Sequence, residues 1–203
     1  MEVSSHSLAQ KRLGPIKLES ACITNLGRDH LDYHSCLAEY WQTKLSIFSQ
    51  YLPRNIPAII HHDLNDIYKE KNISSHKTKT YKAENKEKML AKSIDSSIDM
   101  LAWIEKKKLA SKVFIHKDCS IQIGEVPYIG RFNIDNFLAA NLLSQAITNK
   151  VFPTQAWKSL TSPPGRMQQV ILSKKEKPIC TKSLVFFLFF LFSISKKSIQ
   201  KDV

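Results

Sequence analysis

A polar loop followed by an amphipathic segment, residues 25–48, constrains the fold of this chain more than any other stretch. Asn25 and Gly27 interrupt an apolar run, and Ser35 is a candidate N-cap for a helix over Ser35–Gln50. Four residues of that helix share one face, which we expect to be buried, because they stand at positions i, i+4, i+7 and i+11: Leu37, Trp41, Lys44 and Phe48.

Lys44 is unexpected on this face, since a buried ammonium loses its hydration. One explanation is that its aliphatic stem lies along the edge of the apolar stripe while the charged end reaches water. The other is that the lysine is kept on the buried face for chemistry.

The residues around Lys44 resemble a known signature. Residues 24–34 read TNLGRDHLDYH and residues 40–44 read YWQTK, which is similar to the central domain of the Mur ligases, closest to the MurE type (UDP-N-acetylmuramoyl-peptide synthetases). The resemblance implies that Lys44 is carbamylated, that His30 and Lys44 are catalytic, and that Glu2, His30 and Lys44 hold Mg²⁺. Gly27 stands where Ser or Thr is usual, and Thr43 where Ala is usual.

Two further motifs occur in the order that this family has them. The N-terminal EVSSHSLAQKR is by itself only a helix-capping pattern, but the resemblance implies that Ser4, Gln10 and Arg12 contact the UDP-muramoyl-peptide. Residues 130–140 read GRFNIDNFLAA, and residues 164–168 read PGRMQ, with Gln where the family has Glu. These imply three residues around ATP: Asn133, Asn136 and Arg166. Asn133 is also a plausible N-cap, and capping alone would explain this residue without a bound nucleotide.

Alternating short apolar runs and helical periods predict an α/β fold. The resemblance implies the three-layer Mur ligase central domain, with a mainly parallel sheet that lacks its N-terminal strand and phosphate loop. We predict strands near Ser20–Thr24, Pro57–His61 and Lys112–His116, a long helix over Asn133–Thr148 and a shorter one at Asn65–Lys71. Lys77–Lys82 has the pattern of an edge strand, and Asp95–Lys108 that of a helix. His61-His62-Asp63 suggests either a metal site or, as we prefer, a strand that ends in a loop.

The resemblance divides the chain into two parts. Residues 1–170 correspond to a partial central domain, and residues 171–203 form an unrelated basic and hydrophobic tail. The apolar run Leu184–Phe192 is shorter than the roughly 20 residues of a membrane span, so we expect no membrane contact. The run is compatible with an interfacial segment or an aggregation-prone strand, but the interpretation that we prefer is that the tail is the product of a frameshift.

Charge and cysteine content exclude some classes of function. The formal net charge is +12, but the lysine runs are not interleaved with aromatic residues as in a nucleic-acid platform. We therefore expect no nucleic-acid partner. The four cysteines have neither zinc-site nor disulfide-framework spacing, and no signal peptide precedes them, so we expect a cytoplasmic protein.

The function implied is that of an ATP-dependent ligase fragment. Such an enzyme adds an amino acid to UDP-MurNAc-L-Ala-D-Glu during peptidoglycan synthesis. None of the five glycines fits G-x-x-x-x-G-K-[ST], so we expect the chain alone to be inactive. The alternatives are a non-catalytic remnant that binds UDP-muramoyl-peptide or nucleotide, or a chain that pairs with a separately encoded N-terminal half. A metal-dependent hydrolase using Asp29, His30 and His34 is the least favoured.

Overall fold

A computed structural model describes residues 1–27, 32–70, 76–85, 98–106, 111–117, 120–127, 130–161, 169–170 and 179–180. The helices are α1 (Ser5–Ala9), α2 (Leu37–Tyr51), α3 (Asn65–Glu70) and α4 (Arg131–Thr148). The strands of the main sheet are β1 (Cys22–Ile23), β2 (Ala58–His61), β3 (Thr78–Asn85), β4 (Met100–Lys106), β5 (Ser111–Lys117) and β6 (Ser120–Val126). Two 3-10 turns, His62–Leu64 and Thr154–Ser159, and a separate pair, β7 (Gln169–Val170) with β8 (Ile179–Cys180), complete the described elements.

The main sheet keeps its strands in chain order, from β1 to β6. The first four strands are parallel, and β5 and β6 are antiparallel additions. Parallel neighbours need crossover connections, which α2 provides between β1 and β2 and α3 between β2 and β3. The helices α2 and α3 lie together on one face of the sheet, where the rings of Phe48 and Tyr68 meet edge-on with centroids 5.8 Å apart.

Two apolar cores, one on each face of the sheet, make the fold a three-layer α/β domain. Ile23 and Ile60 face a core shared with α1 and α2. Cys22 and Ile59, their chain neighbours, face the opposite core, which α4 and the second 3-10 turn cover. This alternation along buried strands confirms the predicted fold class.

The predicted positions of the main elements are confirmed. The strands β1, β2 and β5 overlap the three predicted strands, and α2 and α4 overlap the two predicted long helices. The short helix α3 is also where the sequence indicated it. The prediction of a strand end at His61 is confirmed, since β2 stops there and a 3-10 turn follows.

Two element predictions are wrong. Residues 95–108 were expected to be helical, but their described part contains strand β4. Met100, Ala102 and Ile104 face the core under α4, whereas Leu101 and Trp103 form a small cluster with Ile98. A strand that is buried on both faces has a continuous apolar run. Periodicity alone cannot distinguish such a run from a segment of buried helix.

The second wrong prediction is the edge position of Lys77–Lys82. The strand that contains most of these residues, β3, lies inside the sheet between β2 and β4. Its lysines are accommodated because Lys82 forms ion pairs instead of protecting an open edge: its Nζ lies 2.8 Å from Asp63 Oδ1 and 3.5 Å from Glu84 Oε1.

Both predicted N-caps are also corrected. Cys36, not Ser35, is the N-cap of α2, and the backbone N–H of Ser35 donates instead to Oε2 of Glu39 at 2.8 Å. Gly130 is the N-cap of α4, and Asn133 lies within its first turn. Gly130 has φ 91°, a conformation that side chains disfavour, so the glycine rather than the asparagine starts the helix.

Candidate active site

Lys44 is buried in α2, as its position on the apolar face predicts. Its residue surface is 2% exposed, and that of Phe48 on the same face is 0%. The Nζ atom lies 4.6 Å from the ring centroid of Tyr40, one helical turn earlier and also fully buried. The cation–π contact partly replaces the hydration that the ammonium has lost. The charged end of Lys44 is therefore held inside the domain, and does not extend into water.

A series of aromatic rings connects Lys44 to α1. The ring of His34 lies 5.4 Å from that of Tyr40, and Tyr33 meets His34 edge-on at 5.0 Å between centroids. His6 of α1 lies 4.1 Å from Tyr33. The packing of these rings brings the N-terminal motif against the segment that leads into α2.

The predicted substrate residues lie on and beside α1. Ser4 is its N-cap and accepts a hydrogen bond from the N–H of Ser7. Gln10 is its C-cap, and its Nε2 donates to the Tyr33 hydroxyl at 3.5 Å. Arg12 and Glu2 are exposed. These residues lie at the surface beside the ring series, where a large polar ligand could reach them.

His30 and Arg166, two of the predicted site residues, lie outside the described residues, as does Asp29. Gly27, the last described residue before Asp29 and His30, is fixed to α2, because Nε1 of Trp41 donates to its carbonyl at 3.3 Å. Among the described residues, no three His, Cys, Asp or Glu side chains form a group that could hold a metal. The predicted Mg²⁺ ligands therefore stay a prediction.

The predicted nucleotide residues, Asn133 and Asn136, lie in the first two turns of α4 and are partly buried. The same part of α4 carries Asp135, which is 6% exposed. Oδ1 of Asp135 accepts the N–H of Ala83 at 2.7 Å and lies 3.4 Å from Nε2 of His61. The start of α4 thus lies at the carboxyl ends of β2 and β3, the edge at which α/β sheets bind their ligands.

Sequence reasoning assigned no role at the site to Tyr40 or Asp135, and it weighed His61 only as part of a metal site or, preferably, as the end of a strand. Tyr40 has a detectable signal, because it precedes Lys44 by four residues and so lies on the same helical face. Asp135 also has one, since it is a carboxylate that follows Ile134 and shortly precedes the apolar run Phe137–Ala140. Their partners could not be identified from spacing, because Ala83 and Asp135 are 52 residues apart.

Asp63, just beyond β2, is held in its ionised form. Partial burial raises the pKa of its carboxyl, but the hydrogen bond from Lys82 and the charges of neighbouring basic groups outweigh burial and hold the pKa below its usual range. The same pairing raises the pKa of Lys82, against the opposing effect of burial.

Asp63→Asn should make stability less sensitive to acid. Because the folded-state pKa of Asp63 is below its unfolded value of about 3.9, its stabilising contribution is present above that value and is lost as the pH falls through the folded pKa. In urea titrations at about pH 7 and about pH 3, the wild type should lose more free energy of unfolding than Asp63→Asn. Asp66→Asn, an exposed carboxylate on α3, is the control. Equal losses in wild type and Asp63→Asn would contradict the pairing.

The buried thiol of Cys22, on the first strand of the sheet, has no reactive character. Burial raises the pKa of Cys22 to about 12, although a contact with the Tyr81 hydroxyl at 3.8 Å lowers it slightly. Of the cysteines whose side chains the structure describes, Cys22 and the exposed Cys36 are both free thiols. No helix among the described residues has the length and apolarity to cross a membrane.

The geometry defines a three-layer α/β protein with polar side chains gathered at the carboxyl edge of a mainly parallel sheet. A profile of the Mur ligase middle domain matches residues 1–144. The chain therefore belongs to the Mur ligase family.

Two of the relatives that it matches are ligases that act on UDP-N-acetylmuramoyl-L-alanyl-D-glutamate. It is 31% identical over 172 residues to the UDP-N-acetylmuramoyl-L-alanyl-D-glutamate--2,6-diaminopimelate ligase of Anaplasma marginale (strain St. Maries), covering 84% of this chain and 34% of that one. It is 30% identical over 147 residues to the UDP-N-acetylmuramoyl-L-alanyl-D-glutamate--L-lysine ligase of Staphylococcus haemolyticus (strain JCSC1435), covering 69% and 27%. The chain thus spans about a third of the length of the relatives it matches, or less.

Solved structures agree on the fold. A UDP-N-acetylmuramoyl-L-alanyl-D-glutamate--2,6-diaminopimelate ligase superimposes with a TM-score of 0.61 at 24% identity, covering 85% of this chain and 34% of that chain. The MurF ligase from Thermotoga maritima, solved in complex with ADP, superimposes with a TM-score of 0.64 at 15% identity. The match covers 84% of this chain and 36% of that chain.

Proposed function

We propose that this chain supplies the nucleotide- and UDP-muramoyl-peptide-binding domain of a MurE-type ligase. Such an enzyme uses ATP to join an amino acid to UDP-MurNAc-L-Ala-D-Glu in the cytoplasm. The observation that carries the proposal is the buried Lys44, which the rings of Tyr40, His34 and Tyr33 connect to α1. A lysine on a buried face has lost its hydration, and a buried titratable side chain of this kind marks a candidate functional site.

Lys44 contributes to this function through its amine. The ammonium of Lys44 first loses one proton, and the neutral Nζ then adds to the carbon of CO₂ and releases a second proton. The product is an N-carboxylate, so the charge of the side chain changes from positive to negative. Carboxylate oxygens are the ligands that Mg²⁺ prefers, and Glu2 and His30 are the residues that would complete its protein ligands. Bound Mg²⁺ would neutralise charge on the phosphates of ATP.

The residues on α1 and α4 divide the binding work. Gln10, already in contact with Tyr33, would hydrogen-bond the UDP-muramoyl-peptide, with Ser4 and Arg12 beside it. Asn133 and Asn136, with Arg166, would bind the nucleotide at the carboxyl edge of the sheet. Their roles are to bind and to orient, which is most of what a protein contributes to phosphoryl transfer.

Titration calorimetry on the purified chain tests the two binding roles separately. ADP with Mg²⁺ and UDP-MurNAc-L-Ala-D-Glu should both bind. Asn136→Ala should weaken ADP about three- to tenfold and leave the peptide unaffected, and Gln10→Ala should do the reverse, as expected for one lost hydrogen bond each. Failure of the wild type to bind either ligand would overturn the proposal, and so would equal effects of both substitutions on both ligands.

A second candidate is that phosphate-binding groups come from a separate polypeptide. The observation that favours it is the spacing of the glycines, none of which fits a phosphate loop. The chain alone should then release no phosphate from ATP when UDP-MurNAc-L-Ala-D-Glu and an amino acid are present. Phosphate release from the pure protein that depends on the muramoyl-peptide would contradict this candidate.

A further inference from the structure

The carboxylate of Asp135 takes the place of a missing strand neighbour. On the β2 side, the ladder of β3 ends where His61 faces Tyr81. The N–H of Ala83, two residues further along β3, therefore has no β2 residue to donate to. Oδ1 of Asp135 accepts it at 2.7 Å, so α4 continues the hydrogen bonding that β2 has stopped.

His61, the last residue of β2, also meets this carboxylate. Its Nδ1 accepts the backbone N–H of Asp63 at 3.3 Å, so in the neutral ring the proton is on Nε2. That nitrogen lies 3.4 Å from Oδ1 of Asp135. The ring is kept in place by Tyr81, which it meets edge-on at 5.4 Å between centroids.

The second carboxylate oxygen faces the first turn of α4 itself. Nε of Arg131 lies 3.9 Å from Oδ2 of Asp135, one helical turn away. One nearly buried carboxylate thus contacts the end of β2, the backbone of β3 and the first residue of α4. A charge at such a position is retained only where its partners compensate the loss of hydration.

We propose that Asp135 is a positioning residue for the nucleotide site: by linking α4 to the carboxyl ends of β2 and β3, it sets where Asn133 and Asn136 lie. The inference rests on the proposed function, because those two asparagines are its nucleotide ligands. Both flank Asp135 within two residues on the same helix, so a shift or rotation of the first turns of α4 moves them with it. Misplacement of ligand-binding groups by as little as an ångström is sufficient to weaken their action.

The chain contains a matched control for the carboxylate on β3. Oδ2 of Asp99 accepts the N–H of Thr80, also at 2.7 Å and also on β3. The hydrogen bonds of Asp99 are to Thr80, toward the opposite end of β3, and none of them involves a residue of α4. Asp99→Leu therefore removes a similar bond without touching the nucleotide edge.

The test compares ADP affinity in the presence of Mg²⁺ for the wild type, Asp135→Leu, Asp135→Asn and Asp99→Leu, at a temperature at which circular dichroism shows each to be folded. Asp135→Leu should weaken ADP about tenfold, the size usual when a supporting partner is removed. Asp135→Asn keeps an acceptor for the N–H of Ala83, so it should weaken ADP binding less. It replaces Asp135→Leu in the test if the leucine variant does not fold. Asp99→Leu should lower stability and leave ADP affinity unchanged.

Nitrogen NMR of the His61 ring gives a readout that needs no nucleotide. The wild type should show the proton on Nε2, and Asp135→Leu should keep that tautomer but shift the Nε2 resonance, because the carboxylate 3.4 Å from that nitrogen is removed. An unchanged ring signal, or wild-type ADP affinity in Asp135→Leu, would overturn the positioning role alone. Absence of ADP binding in the wild type would overturn the nucleotide-binding proposal and the positioning role with it.

Discussion

Trp157→Ala should lower the free energy of unfolding by about 3–5 kcal/mol, the range for removing a large buried aromatic side chain. Trp157 is fully buried. Its ring meets Phe137 of α4 edge-on, with centroids 5.1 Å apart, and its Nε1 donates to the carbonyl of Phe152 at 3.4 Å. The side chain thus joins the second 3-10 turn to the core under α4.

The close fit of this ring to β6 explains the size of the effect. A Cβ added at Gly124 would lie 2.9 Å from Cζ3 of Trp157 and closer still to Cε3. The ring lies directly on the glycine backbone, so its removal leaves a cavity that neighbours cannot fill without moving the sheet.

Urea unfolding at neutral pH, followed by far-ultraviolet circular dichroism, measures the Trp157 effect. Phe132→Ala is the matched control, because Phe132 is an aromatic residue of α4 that is 58% exposed. Its truncation should change the free energy of unfolding by no more than about 0.5 kcal/mol. A loss below about 1 kcal/mol for Trp157→Ala would mean that the turn does not belong to the cooperative core.

The long helices and the strands β1 and β2 were predictable because each carries a complete local signal. The helical period places Lys44 and Phe48 inward without reference to any other part of the chain, and the structure buries both. The run at Ala58–His61 is a short buried strand with polar residues at its end, and it forms β2. Local periodicity is sufficient where an element has one buried face or is too short to be a helix.

The prediction failed for β4, a strand that is buried on both faces, and where the structure depends on a residue or strand that is distant in sequence. In β4 both faces contact apolar clusters, so no periodic contrast distinguishes it from a helix. Whether β3 is an edge depends on β4, which the sequence did not identify as a strand. The link between His61 and Asp135 joins residues 74 positions apart (135 minus 61), and only the assembled sheet brings them together.

Lys44→Met should abolish carbamate formation while leaving the fold at least as stable as the wild type. The buried ammonium has lost its hydration, and the Tyr40 ring compensates only part of that loss. Methionine fills a similar volume without a charge, and replacing buried charge by an apolar side chain of similar size is often neutral or stabilising. The carbamate should therefore disappear in Lys44→Met, while the free energy of unfolding should not fall.

Carbon NMR after equilibration with ¹³C-bicarbonate detects the carbamate, and urea titration measures stability on the same samples. Lys17→Met, which removes an exposed lysine outside the ring series, is the control and should keep the wild-type carbamate signal. A signal that persists in Lys44→Met, or is absent from the wild type, would remove Lys44 from the proposed chemistry. A fall in stability of more than about 2 kcal/mol would instead show that the ammonium is retained for the fold, because breaking a strongly compensated buried charge is destabilising by that amount or more.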